Sequence, residues 1–264
     1  MKDFEFHRPT SIADAIALVH AREGAKFLAG GQSYLPVLKL DLGEASDLVS
    51  LAGVPELRSI RVEGGAVVIG ALCTHDEVSR SVDVQVPIPA LAALAGAIGD
   101  PQVRNRGTLG GSVAHADPAA DYPAALLALG ATIVTDRRTL EADGFFTGLF
   151  ETALARDELV TAVRFPIPRR AAYVKYAHRA SKYALVGVMV ADTAHGIRVA
   201  VTGAASTVFR HTGFEDALTK RFAPDALEGI AVAADDLNSD AEGSAEYRAH
   251  LIAVMTRRAV QAIA

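Results

Sequence analysis

Two short segments carry the residues best suited to hold an anion. Ala29-Gly30-Gly31-Gln32-Ser33 and Thr108-Leu109-Gly110-Gly111-Ser112 each set adjacent glycines beside a hydroxyl side chain. Adjacent glycines let the backbone take positive φ and approach a ligand closely. Successive amides then turn inward as an anion-binding nest, and a hydroxyl adds a further donor. The segments lie about eighty residues apart, and both suit one diphosphate if the fold brings them together. Neither contains the lysine of a Walker loop, and neither matches G-x-G-x-x-G. Read singly, each is equally an ordinary glycine turn.

Other chemistry is thin. Gly110-Gly111-Ser112-Val113-Ala114, with His115 next, approaches the G-x-S-x-G nucleophile elbow but lacks its last glycine and its preceding strand. The 8 histidines show no metal-ligand spacing. Cys73 is the single cysteine, which excludes an internal disulfide and any cysteine-held iron–sulfur cluster on this chain. At an apolar strand end it reads as a small buried hydrophobe. A redox group here is therefore organic or sits on another chain. Asp117 reads as a helix cap ahead of Pro118. Arg104 and Arg106 either attract a diphosphate or brace a long loop. Arg137-Arg138 reads as a solvated turn. No catalytic acid, base or nucleophile stands out.

The elements that must position these residues follow from pattern. The 264 residues are 50% apolar and 22% charged with net charge −5, which excludes a disordered chain and a nucleic-acid partner. The N-terminus lacks a signal peptide's apolar run, and no stretch approaches eighteen uninterrupted apolar residues; a cytoplasmic protein without a membrane segment is expected. Phe4 and Phe6 alternate in a short strand. Ser11 to Asp14 reads as a capping box before Ile12, Ile16 and Val19 at helical spacing. Residues 26–28 read as strand and 34–40 as helix. Residues 57–62 and 67–72 flank Glu63-Gly64-Gly65-Ala66 as a hairpin. Thr74 to Glu77 opens another helix, and Pro87 to Ala97 forms one. Gly99 to Gly111 reads as a long loop. Asp117-Pro118 starts a helix bearing Tyr122, Leu126, Leu127 and Leu129, and strands follow at 131–135 and 158–165. Pro166 to Arg170 reads as a linker. Beyond it come strands at 173–178, 184–190 and 197–202 and helices near 214–220, 224–234 and 245–263. Three units are expected, over residues 1–54, 55–168 and 169–264.

The run from Ile98 through Arg104-Asn105-Arg106-Gly107-Thr108-Leu109-Gly110-Gly111-Ser112 to Asp117-Pro118-Ala119-Ala120-Asp121 resembles the signature of the FAD-binding (medium) subunits of molybdenum hydroxylases. Carbon monoxide dehydrogenases typify the family, and xanthine dehydrogenases carry a related domain. Ala29 to Ser33, with Leu35-Pro36 and Lys39-Leu40 after it, resembles that family's first flavin loop. The likeness covers essentially the whole chain, including Arg198 to Ala204. It implies an α+β chain: a FAD-binding fold of the vanillyl-alcohol-oxidase (PCMH) type in two subdomains, then a C-terminal antiparallel sheet with a helical bundle.

By the same resemblance, Ala29, Gly30, Gly31, Gln32 and Ser33 wrap the FAD pyrophosphate, and Thr108, Leu109, Gly110, Gly111 and Ser112 meet it from the other side. Ile98 borders the flavin, and Asp121 bonds a ribose or ribityl hydroxyl. Lys175 and Tyr183 stand near the isoalloxazine ring, the lysine to stabilise a reduced, anionic flavin. The implied function is electron transfer, from [2Fe–2S] clusters on a small partner to a terminal acceptor, while a large partner holds the molybdenum cofactor. The implied assembly is a dimer of heterotrimers. A stand-alone FAD oxidoreductase of this fold and a non-catalytic nucleotide-binding module are the alternatives.

Overall fold

The computed structural model describes residues 2–264. The first fifty residues alternate strand and helix: β1 (Glu5–His7), α1 (Ile12–Ala21), β2 (Ala25–Leu28), α2 (Tyr34–Lys39) and β3 (Asp47–Ser50). The strands form a parallel sheet in the order β1-β3-β2. The side chain of Ser11 accepts from the Asp14 amide at 3.1 Å, capping α1 as its sequence predicts. Ala15 and Val19 pack α1 onto the sheet, in a small core shared with Leu57, Leu72 and Leu159 of the next unit.

That unit opens with β4 (Ile60–Glu63) and β5 (Ala66–Gly70). Gly64 and Gly65 join them with φ of 55° and 72°, the two left-handed residues of a tight two-residue hairpin. Then come α3 (His75–Arg80), α4 (Val82–Gln85), α5 (Pro89–Gly96), α6 (Pro101–Arg104), α7 (Leu109–His115) and α8 (Tyr122–Leu129). Thr74 and Glu77 form the reciprocal capping box at the start of α3. β6 (Thr132–Thr135), β7 (Thr139–Glu141), β8 (Phe146–Gly148), β9 (Glu151–Thr152) and β10 (Val160–Pro166) follow. Five of these strands make one sheet, β4-β5-β10-β6-β7, and β8-β9 form a separate hairpin. Helix α8 is buried at every position and is the spine of the largest core.

The last unit is a sheet of β11 (Arg170–Ala177), β12 (Ala184–Thr193), β13 (Gly196–Thr202) and β14 (Phe209–Arg210), backed by α9 (Thr212–Lys220) and α10 (Ala245–Ile263). Leu251 and Met255 of α10 lie in its core, as the helical stripe predicts. The sheet also grips the central unit. Thr202 Oγ1 bonds the carbonyls of Pro118 and Ala120 at 2.9 and 2.7 Å, and the Ala184 amide bonds that of Ala119.

The structure corrects four expectations. Gly99 to Gly111 is not one loop: Asp100 caps α6, accepting from the Val103 amide at 2.8 Å. The second Gly-Gly pair is the first turn of α7. Asp117 caps a turn rather than a helix, accepting from the Ala119 amide at 2.9 Å, and α8 begins only at Tyr122. The helix expected at 224–234 is a single 3-10 turn, Pro224–Leu227. Beyond it Ile230 and Val232 pack against the core two residues apart, a strand-like rather than a helical period.

Candidate functional site

A cavity of about 560 Å³ is lined by residues of the first fifty, of the segment from Leu51 to Val160, and of the turn between β11 and β12. Its size lies within the range of about 300–1,000 Å³ common for cofactor sites. Both glycine segments line it. The first meets the backbone just ahead of the second: a Cβ placed on Gly30 would lie 1.9 Å from the Arg106 carbonyl oxygen and 2.9 Å from Gly107 Cα. No side chain larger than hydrogen fits there, so Gly30 is what brings the two segments together.

The two segments offer different things. In the first, Gly31 turns the chain with φ 74°. Among the described residues, the amides of Gly30, Gly31, Gln32 and Ser33 donate to no backbone acceptor outside regular elements. They are available for an anion. In the second, the four amides that follow Thr108 each have a partner. Leu109 bonds the Cys73 carbonyl at 3.0 Å and Gly110 that of Ala71 at 2.8 Å, while Gly111 bonds Thr108 Oγ1 at 3.1 Å. Ser112 bonds the Thr108 carbonyl at 3.0 Å. The second segment is therefore not a nest. Gly111 instead gives a bare wall: a Cβ there would meet Thr108 Oγ1 at 2.8 Å and Ala29 Cβ at 3.3 Å. Gly110 serves packing, since a Cβ would strike Ala71 at 2.5 Å. Leu109 points into the core, fully buried, and Ser112 lines the cavity.

Ile98 lines the cavity, on a turn braced by Arg104, whose guanidinium donates to the carbonyls of Ile98 and Gly99 at 3.0 and 3.1 Å. That settles Arg104 as a brace. Asp121 lines the cavity but its carboxylate is engaged behind it. Tyr173 Oη donates to Oδ1 at 2.5 Å, and Lys175 Nζ lies 2.9 Å from Oδ1 and 3.1 Å from Oδ2. Lys175 also donates to the Ala97 carbonyl at 2.9 Å. Burial pushes the Asp121 carboxyl up, against Lys175 and Tyr173, which pull it down. Lys175 is thus a buried ion-pair partner behind Ile98, not a cation lining the cavity. Tyr183 does line it, 41% exposed. Burial, then the Asp117 charge, raises its hydroxyl pKa, against a hydrogen bond with the Ser33 side chain.

Several lining groups had no sequence signal. His75 is buried at the cavity edge, its Nε2 2.6 Å from where a Gly107 Cβ would stand. Burial, then the Arg104 charge, pushes its pKa down to about 4, so it is neutral near pH 7. Leu154, Leu159 and Val160 form an apolar wall. Glu158 holds their segment: Arg138 donates to it at 2.9 and 2.8 Å, and it accepts from the Ala155 amide at 2.9 Å. These bonds, led by Arg138, bring its pKa down to about 2. Arg138 is therefore an anchor, not a solvated charge. Ser112 and His115 sit on α7 with no strand before them, so no nucleophile elbow forms.

Free amides, a Cβ-free wall and an apolar pocket in one cavity fit a dinucleotide whose diphosphate is held by backbone. Sequence and structure comparisons point the same way. Residues 2–168 match the family described as FAD binding domain in molybdopterin dehydrogenase. Residues 171–263 match the CO dehydrogenase flavoprotein C-terminal domain. The carbon monoxide dehydrogenase medium chain of Hydrogenophaga pseudoflava is 38% identical, over 98% of this chain and 96% of the relative. The nicotine 6-hydroxylase medium subunit of Paenarthrobacter nicotinovorans is 40% identical, over 96% and 94%. A solved structure of the Hydrogenophaga pseudoflava carbon monoxide dehydrogenase, lacking the Mo-pyranopterin moiety of its cofactor, superposes with a TM-score of 0.89. It is 37% identical and covers 99% of this chain and 97% of that one.

Proposed function

The chain belongs to the FAD-binding medium subunits of the molybdenum hydroxylases, and from that premise we propose that it is the electron-transfer subunit of such an enzyme. It takes electrons from [2Fe–2S] clusters on a small partner and passes them to a terminal acceptor, while a large partner oxidises the substrate at molybdenum. The assembly is a dimer of heterotrimers in the cytoplasm, and the chain's three units are residues 1–54, 55–168 and 169–264. FAD bound in the cavity supplies a group that accepts and releases electrons.

The chain's own residues do the holding. The amides of Gly30 to Ser33 bind the diphosphate, and Gly111 and Ser112 close on it from the facing wall. The contact of Gly30 with Arg106, which joins the two segments into one cradle, carries this reading. Ile98 and Tyr183 border the flavin. Asp121 fixes Lys175 and, through it, the Ala97 carbonyl, keeping the floor beneath Ile98 rigid. Of the three cavity-lining acids, Asp121 is paired with Lys175, Glu158 with Arg138, and Asp117 accepts from the Ala119 amide. That favours an electron relay over a stand-alone oxidoreductase with its own acid catalyst. The substrate belongs to the large partner: the two relatives above are similarly identical to this chain, yet one is named for carbon monoxide and the other for nicotine.

Affinity purification of the tagged chain from its own cells tests the reading. Two further chains carrying molybdenum and iron–sulfur absorption are expected with it. A lone chain, active by itself on a small substrate, overturns it.

A further inference from the structure

The turn between β11 and β12 reaches over the cavity. Ser181, Lys182 and Tyr183 line it, as does Ser33 of the first glycine segment. One side chain organises this strap. His178 Nδ1 accepts from the amides of Ala180 and Ser181 at 3.2 and 3.1 Å and lies 3.1 Å from Ser181 Oγ. The Ser181 hydroxyl in turn accepts from the Tyr183 amide at 3.4 Å. Backbone bonds between His178 and Tyr183 (2.8 Å) and between Lys182 and His178 (3.0 Å) close the turn. Lys182 holds φ 64°, a left-handed conformation that a non-glycine residue keeps only when its surroundings impose it.

A ring nitrogen accepts from an amide only while it carries no proton. The proton of neutral His178 then sits on Nε2, 3.1 Å from Glu242 Oε2 in the segment before α10. Protonating Nδ1 would set an N–H against two amide N–H groups. The charged groups nearest it are Glu242, 3.1 Å from Nε2, and Arg179 and Lys182 on the strap itself. Asp240, also in that segment, is committed to Arg248 at 2.7 Å. Tyr176 and Tyr247 pack edge to face nearby on β11 and α10.

We propose that His178 is a positioning residue, a latch that holds the 178–183 strap closed over the cofactor cavity while its Nδ1 is unprotonated and frees the strap when that nitrogen takes a proton. The consequence for cofactor retention rests on the reading of the cavity as a FAD site; the latch itself does not.

Amide hydrogen exchange of the purified full-length chain tests it, read as protection relative to the unstructured rate at each pH. Between about pH 8 and about pH 5.5, the range in which histidines ordinarily titrate, protection at Ala180 and Ser181 is expected to fall by up to about tenfold, the scale of the lost hydrogen bonds. His178→Asn should keep its protection at both pH values, because an asparagine oxygen accepts from the same amides and does not titrate. His178→Ala should be unprotected at both. Protection that is independent of pH in the wild type, or an Asn variant that follows the wild type, overturns the latch. FAD release, followed by flavin fluorescence, should accelerate over the same pH range in the wild type and not in His178→Asn. A pH-dependent strap on a chain that binds no FAD leaves the latch and removes the cofactor reading; FAD binding with a pH-independent strap does the reverse.

Discussion

Gly30 and Arg106 meet with no room for a side chain: a Cβ on Gly30 would lie 1.9 Å from the Arg106 carbonyl oxygen. The obstacle is backbone, so it cannot swing aside. Gly30→Ala should force the two segments apart and cost about 1–3 kcal/mol. It should also lower bound flavin per chain well below that of the wild type. Urea unfolding and the ratio of visible to protein absorbance read the two effects. A Gly30→Ala chain with wild-type stability and full flavin would sink the shared-cradle assignment.

Behind the cavity, Asp121 and Lys175 form a buried pair, with side chains 4% and 8% exposed. Removing one partner of such a pair typically costs about 3–5 kcal/mol, because the other is left buried and unpaired. Lys175→Met and Asp121→Asn should each destabilise on that scale. The double variant should lose less than the sum, which a double-mutant cycle in urea measures. Additive losses would show that the two side chains act independently.

The same network depends on a glycine in a neighbouring strand. A Cβ on Gly187 would lie 2.3 Å from Tyr173 Oη, the donor to Asp121. Gly187→Ala should displace that phenol and cost about 1–3 kcal/mol. Pairing it with Tyr173→Phe, which has no hydroxyl to displace, should recover part of the loss. No recovery would mean that the alanine acts elsewhere, for instance against Thr202.

His75 sets an acid limit. Burial brings its folded pKa down to about 4 from the 6.5 of an exposed histidine, so the unfolded chain binds the proton more readily. Its contribution to stability is therefore complete above about pH 6.5 and falls away as pH drops toward 4, by at most about 3 kcal/mol. His75→Leu should flatten the stability profile between those pH values. An unchanged slope would contradict the assignment.

Glu158 works at lower pH. Its folded pKa is held down to about 2, chiefly by Arg138. Its contribution is present above the ordinary glutamate range and is lost as pH falls toward 2. Glu158→Gln should cost about 1–3 kcal/mol near neutrality, the worth of charge-assisted hydrogen bonds. The gap from wild type should narrow as the pH is lowered from 6 to 3. A constant gap would mean that the charge is not what matters.

Much of this architecture was legible in the sequence, and the reasons differ by region. Caps and turns read well because their chemistry is local: Ser11 and Thr74 each bond an amide three residues on, and Gly64-Gly65 needs only its own φ angles. The two glycine segments were legible as a pair, but not their division of labour. Whether an amide is free depends on residues far away, and Gly110 is occupied by Ala71 across the core. Asp121 and Lys175 were each placed near the flavin singly. Their ion pair depends on how β11 docks against the central unit, which no local pattern encodes. His75, Glu158 and the apolar wall at Leu154 and Leu159 were missed for the same reason. Apolar residues and a lone histidine look alike in sequence whether they face a core or a cavity.

The central claim is that the cavity between the glycine segments holds FAD. Gly111 is the cleanest probe, because its missing Cβ borders Thr108 Oγ1 and Ala29 Cβ at the cavity wall rather than the core. The deciding measurement is flavin bound per chain, from visible absorbance after loading with FAD, for the wild type and Gly111→Val side by side. One flavin per wild-type chain and a folded but colourless variant are predicted. A wild-type chain that takes up no flavin, or a variant that retains all of it, would contradict the account.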